Sequence, residues 1–265
     1  MTTTSLSPTA RDAGGMIRWW RERRHLTQLE LSGLSEVSTR HLSYVENGRS
    51  RPSSTLILHL CEHLNVPLRR RNDILLAAGF APAYAEHRLS DPPLAAVSAA
   101  VDAILAAHEP LPAIAVNRHW EMIAATPAVD ELTRGCAPAL LEPPVNVLRL
   151  SLHPDGMAPS IANLGQWRGH LLHRLEGQLT ASGDPVLAAL LDELREYPGG
   201  DATASTDVLV PLRYRLGDTE LSLLSTTTVF GTPAEITVSE LAIEAFYPAD
   251  AATARALGVN ASHLA

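Results

Sequence analysis

Residues Thr27–Pro52, TQLELSGLSEVSTRHLSYVENGRSRP, space apolar, capping and turn residues as two short helices meeting at a tight corner. Thr27 with Glu30 three residues on has the pattern of a capping box, in which each side chain satisfies a backbone donor that the helix start leaves open. Leu31 and Leu34 then fall on one face. Val37 is placed to plug the corner, Ser38 to cap the second helix, and Leu42 and Val45 at i, i+3 turn that helix's inner side toward a core. Asn47-Gly48 supplies the stop, and Arg51-Pro52-Ser53 breaks the chain before the next helix. The spacing predicts further helices on both sides. One runs over 15–24 with Met16 and Trp19 or Trp20 inward and Arg18, Arg21, Arg23 and Arg24 outward or along its end. Another covers 54–64 with Leu56, Leu60 and Leu64 at four-residue spacing, and a last one covers 68–78 with Ile74 and Leu75 inward. The Arg69-Arg70-Arg71 run reads as a solvated face.

This stretch resembles the XRE family of phage-repressor-like regulators over residues 14–80. The resemblance is carried by Thr27-Gln28 opening the second helix, the L..L..V..L..V core pattern, and Glu46-x-Gly48-x-x-x-Pro52-Ser53 closing the unit. It implies an all-α, lambda-repressor-like helix-turn-helix domain that binds double-stranded DNA. Glu36 stands at the corner usually held by Gly, so a side chain with a Cβ is expected at positive φ. On this reading Gln28 grips a phosphate, Thr39, Arg40 and Ser43 project from the recognition helix toward base edges, and Asn47, Arg49 and Arg51 touch backbone phosphates where the chain leaves the groove. Arg40 is the expected reader of guanine. Regulators of this type gain affinity by pairing on two half-sites, so a homodimer is expected.

Charge divides the chain the same way. Residues 1–88 hold 12 Arg against 8 Asp and Glu, a net of +4, so within a chain of net charge −8 the remainder carries −12. The basic part suits phosphates and the acidic part repels them. Residues 1–13, rich in Thr, Ser and Ala, read as a flexible arm, 81–93 as a linker dense in helix breakers, 94–252 as a second domain and 253–265 as a C-terminal tail. No stretch has membrane-spanning length and no signal-peptide pattern opens the chain, so a cytoplasmic protein without membrane contact is expected. Cys61 and Cys136 lack C-x-x-C spacing and read as buried free thiols.

The second domain opens with LAAVSAAVDAILAAH over 94–108, whose Leu94, Val97, Val101, Ile104 and Leu105 form one apolar stripe. That stripe is either a dimer interface or packs on its own sheet. Strands are expected at 112–117 and 120–124, helices from Asn146 onward with the longest at 162–179 and 185–197, and strands again at 208–216, 220–230 and 240–247, the first two of these forming a hairpin. Five strands with helices between the second and third give an α+β plan with an antiparallel sheet, in which helices can cover one face and enclose a cavity.

This half is similar to the MmyB-like ligand-binding domain found after an XRE-type helix-turn-helix in many actinobacterial regulators. The motifs are Asn117-Arg-His-Trp120, Asn146-Val-Leu-Arg149 with His153-Pro-Asp-Gly156, Asn163-Leu-x-x-Trp167, and Ser225-Thr-Thr-Thr-Val-Phe-Gly-Thr-Pro233 followed by Phe246-Tyr-Pro-Ala-Asp250. The resemblance implies a PAS-like sensor with a pocket for a small amphipathic ligand, a fatty acid being the leading candidate. Such a site needs an apolar lining and a donor fork for the carboxylate. Arg149 and His153 are the expected donors, and Trp120, Trp167, Phe230 and Phe246 the expected walls. Alternatively Arg149 pairs with an acid such as Glu244 and the aromatics are ordinary core. A domain that binds no ligand and only dimerises remains the competing reading. Neither a cofactor nor a metal site is expected: His170 and His173 have no carboxylate that completes a zincin pattern, and the hydroxyls at 225–228 lack a nucleophile elbow, so no catalysis is expected.

Overall fold

The computed structural model describes residues 12–199 and 209–260. The expected arm therefore lies outside the described residues up to residue 11, as do Val208 and the last five residues of the expected tail. The chain divides into two compact units, the first reaching Glu86 and taking in Ala234–Ile236, the second formed by the rest from His87.

The first unit is built from α1 (Ala13–Arg23), α2 (Gln28–Ser35), α3 (Thr39–Glu46), α4 (Ser54–His63) and α5 (Leu68–Ala77). Each start has the chemistry its sequence offers. Asp12 caps α1 by accepting from the Gly15 N–H at 2.7 Å, so the helix begins inside the stretch expected to be an arm. Thr27 and Glu30 close their capping box, and Ser38 and Ser53 cap α3 and α4. Glu36 takes φ 54° at the corner, so the turn keeps the left-handed geometry without Gly. Gly14 has a steric reason: a Cβ there would lie 2.0 Å from the Val45 carbonyl oxygen, so its absence lets α1 cross α3 in contact.

Ile17, Trp20, Leu31, Leu42, Val45, Ile57, Leu60 and Ile74 form the core. Leu34 does not join it and is 54% exposed. Ser35, at i+4 from Leu31, takes the inward place instead and donates to the Leu31 carbonyl. Arg21, expected outside, is buried. The Arg69-Arg70-Arg71 run is engaged within the unit by Glu86, by Asp73, and by the Val66 carbonyl with the Tyr84 hydroxyl respectively. Asn72 ties down the start of the expected linker, accepting from Ala83 and Tyr84 N–H and donating to the Tyr84 carbonyl.

The second unit runs α6 (Ala95–His108), β1 (Ala113–Val116), β2 (Met122–Ala125), α7 (Ala128–Thr133), α8 (Val147–Leu152), α9 (Leu164–Ser182), α10 (Pro185–Glu196), β3 (Leu212–Leu216), β4 (Thr219–Val229), the single turn α11 (Ile236–Ser239), β5 (Ala242–Pro248) and α12 (Ala251–Ala256). The sheet order is β2-β1-β5-β4-β3 with every pair antiparallel, and β3–β4 is the expected hairpin. It is an α+β domain whose order fits the PAS-like plan. α12 reaches into the expected tail, started by Asp250, which accepts from Thr253 N–H.

Strand alternation sorts the sheet's two faces. Ala113, Ala115, Ile243 and Ala245 face α6 and pack with Val101 and Leu105. The α6 stripe thus covers its own sheet, while Ile104 stays partly exposed. The other face carries Ile114, Val116, Leu212, Tyr214, Leu221 and Leu223, which pack with α8, α9 and α10 through Leu148, Leu152, Leu171, Leu175 and Leu191. Among the described residues no helix is long and apolar enough to cross a membrane. Both cysteines are buried and free.

Candidate DNA-binding surface and candidate ligand cavity

The inner face of α3, Leu42, Val45 and Glu46, is buried; the outer carries Arg40, Ser43 and Asn47, which helical spacing lines up at i, i+3 and i+7. Glu46 is the fixed point. Its carboxylate receives Arg21 Nε at 2.7 Å and Nη2 at 2.9 Å, Gln28 Nε2 at 2.8 Å and, as an ion pair at 3.5 Å, Arg18. Burial alone raises this carboxyl, but the hydrogen bonds from Arg21 and Gln28 and the charges of Arg21 and Arg18 outweigh it and hold Glu46 below the usual carboxylate range. The result is a helix clamped to α1 and α2 from behind, with its outer face free to meet a groove.

The predicted contact residues differ in how far they are already engaged. Arg40, Arg49 and Arg51 are exposed, Arg40 lying over the Tyr44 ring with its Nε 3.2 Å from the hydroxyl. Gln28 sits at the start of α2 with one amide N–H spent on Glu46. Thr39 donates to Ser32 Oγ, which itself holds the corner through the Val37 carbonyl. Asn47 is exposed but already engaged: its amide nitrogen donates to the Ser43 carbonyl and its oxygen accepts from Arg18 at 2.5 Å. It finishes α3 in place of presenting its amide outward. Glu46 and Arg18, which set the helix, carry no local sequence signature of that role.

In the second unit, three motif asparagines hold the turns that frame the cavity without lining it. Asn117 Oδ1 accepts from His119 and Glu121 N–H, folding 117–121 into a turn and placing Trp120 at φ 64°. For that reason Trp120 is a turn residue rather than the start of β2. Asn146 caps α8 through Leu148 and Arg149 N–H and donates to the His119 carbonyl. Asn163 bridges to the β3 side, donating to the Pro211 carbonyl and accepting from Arg213 N–H. Gly156 lies where a Cβ would meet the Leu150 carbonyl oxygen at 2.3 Å.

These elements enclose a cavity of about 80 Å³ between the sheet and the helices α7, α8 and α9. Trp120, Trp167 and Phe246 line it together with aliphatic side chains such as Ile114, Leu148 and Leu171. Trp120 Nε1 donates to Gln178 at 2.7 Å and Trp167 Nε1 to Ser151 at 3.0 Å, so both indoles are fixed by their polar ends. Phe230 is elsewhere: it packs against the cluster of Val101, Leu105 and Ile243 on the α6 face of the sheet.

The expected donors are also elsewhere. Arg149 makes a two-pronged bond to Glu193, 2.7 Å at both Nε and Nη2, and His153 packs edge-on against Tyr197 at 5.1 Å. Neither lines the cavity, because the inward positions of α8 are taken by Leu148, Leu150 and Leu152. Tyr197 donates to Glu193 at 2.6 Å, and burial with that bond pushes the phenol up to about 12. The guanidinium at the cavity belongs to Arg174, three turns into α9, and Glu244 pairs with it and not with Arg149. The letters alone do not tell which arginine faces the sheet; the i, i+4, i+7 relation of Trp167, Leu171 and Arg174 on α9 is the signal that finds it.

An all-α unit that exposes one clamped helix among exposed arginines, in one chain with an α+β unit around an apolar cavity, defines a DNA-binding transcription regulator with a ligand-binding domain. A helix-turn-helix family profile matches residues 17–70, and that of the MmyB-like transcription regulator ligand binding domain matches 97–258. The chain belongs to the MmyB-like transcription regulators. No curated protein of significant similarity was found.

Proposed function

We propose that this regulator reads a specific double-stranded operator as a homodimer and that a small amphipathic molecule, held in the cavity of its second unit, changes operator affinity. The observation that carries the DNA half is the exposed Arg40 on a helix whose opposite face is fixed by the Arg21–Glu46 pair. Arg40 reads a base edge, while Arg49, Arg51 and the remaining Gln28 N–H meet phosphates. DNA as partner fits a cytoplasmic protein.

The ligand half is supported by a wall of aromatic and aliphatic side chains with few polar groups. A fatty acid supplies the alkyl chain such a wall fits. At about 80 Å³, the cavity is below the roughly 300–1,000 Å³ of drug-sized sites, so a chain of several methylenes enters by spreading the lining side chains. The α6 stripe packs within its own unit, which weighs against a domain that serves only as a dimerisation module built on that stripe. Native and denaturing mass spectrometry of the purified chain, with selection of a bound sequence from random DNA, tests the proposal. A dimer carrying an extra few hundred daltons lost on denaturation supports the proposal; a bare monomer that selects no sequence from random DNA contradicts it.

A further inference from the structure

The polar end of the cavity consists of two charges that cancel. Among the described residues lining it, Arg174 and Glu244 carry formal charge, and they hold each other by Nη1–Oε2 and Nη2–Oε1 bonds of 2.7 and 2.5 Å. Thr227 accepts a further N–H from Nη2 at 2.7 Å, and the guanidinium lies 4.7 Å over the Trp120 ring. The Glu244 side chain is 4% exposed. A carboxylate so enclosed depends on its partner cation, and separating the two leaves a buried unpaired charge. The other polar side-chain groups on the wall are the hydroxyls of Thr133, Ser151 and Ser225 and the indole N–H groups of Trp120 and Trp167, which donate to Gln178 and Ser151. Thr133 donates back to its own helix and Ser151 accepts from Trp167.

An anionic head group entering this cavity meets the Glu244 carboxylate together with Arg174 and gains the cation only by displacing Glu244. A cationic head group meets the converse. An uncharged head with a donor and an acceptor faces neither conflict. Arg174 has five N–H groups, of which Glu244 and Thr227 use three, and Glu244 oxygens retain lone pairs. We propose that the cavity selects an amphiphile with an uncharged polar head, such as an alcohol, primary amide or lactone, and that the joined Arg174–Glu244 pair reads it as one neutral donor–acceptor unit. This rests on the amphiphile reading above and narrows it: the expected carboxylate of a fatty acid is the disfavoured head.

The test is calorimetric titration of the full chain near pH 7.5 with octan-1-ol, octanoate and octylamine, which share one chain length and differ in charge. The alcohol binds at least tenfold tighter than either ion. In E244Q the balance shifts at least tenfold toward octanoate, and in the double variant R174Q/E244Q, where both charges are gone, the alcohol keeps its lead. Octanoate binding as tightly as the alcohol to the native chain overturns the uncharged head and leaves the amphiphile reading standing. Binding of none of the three overturns both. Should E244Q fail to fold by circular dichroism, the ranking in the native chain and the double variant decides.

Discussion

Arg21 of α1 and Glu46 at the end of α3, 25 residues apart in the chain, are joined by two parallel hydrogen bonds of 2.7 and 2.9 Å in the interior of the first unit. The pair also orients Gln28, so one buried carboxylate fixes the first helix, the recognition helix and the start of α2. DNA binding in this protein is therefore a property of a rigid face whose geometry is set from behind.

Removing one member leaves a buried charge without its partner. Glu46→Ala is expected to cost about 3–5 kcal/mol of first-unit stability, whereas Glu46→Gln keeps the Gln28 and Arg21 contacts in part and costs less. Calorimetric melting of the two variants checks the order.

The same carboxylate gives a pH dependence. Its folded value is depressed, so its contribution is complete above its ordinary value near 4.5 and is lost as pH falls through the lower folded value. The first unit's melting temperature should fall as pH drops below about 4.5, and in Glu46→Gln that slope should flatten. An unchanged slope would remove Glu46 from the account.

Arg40→Ala should cost about 1–3 kcal/mol on the operator and relax preference at one base pair, whereas Arg49→Ala should weaken all sequences alike and lower the salt slope by about 1. Binding isotherms on operator and random DNA at several salt concentrations separate the two. Equal losses for Arg40→Ala on both DNAs would sink its role as a base reader.

Gly14→Ala pushes a methyl against the Val45 carbonyl oxygen at 2.0 Å. It should destabilise the first unit by about 1–3 kcal/mol, as overpacking does, and shift α3 enough to weaken operator binding. Gly33→Ala, with open space around its Cβ, is the control that should leave both unchanged or improved.

The sheet's two faces give the last contrast. Phe246→Trp fills the cavity and should abolish amphiphile binding while the second unit stays folded. Phe230→Ala, on the α6 face, should lower stability and leave ligand affinity intact. Arg149→Gln should likewise leave it intact and cost at most about 1 kcal/mol, since its bond to Glu193 is solvent-screened. Titration calorimetry on the three variants reads the result.

What the chain discloses locally and what it conceals follow from the range of the interactions. Thr27 with Glu30, Ser38 and Ser53 announce helix starts because a cap acts over three residues, and the five strands show in runs of alternating or β-branched residues. Glu46 reads locally as a polar helix end; its burial depends on an arginine two helices back in the chain. Arg149 and Arg174 are equivalent as letters; the α9 spacing from Trp167 and Leu171 puts Arg174 on the cavity side, while the turn of Arg149 to Glu193 is decided by the packing of α8 against α10. Phe230 and Phe246 both close β-rich runs, but strand parity and sheet order place them on opposite faces. Leu34 fits the periodic pattern at i+3 from Leu31, yet the buried face of α2 runs through i+4 and Ser35 takes that place.

Operator affinity measured by fluorescence anisotropy, with the full chain and the sequence it selects from random DNA, with and without saturating octan-1-ol, tests the central claim most directly. The account predicts specific binding, through a site of two half-sites, whose affinity changes at least fivefold on adding the amphiphile. Specific binding that the amphiphile occupies the protein without altering would contradict it.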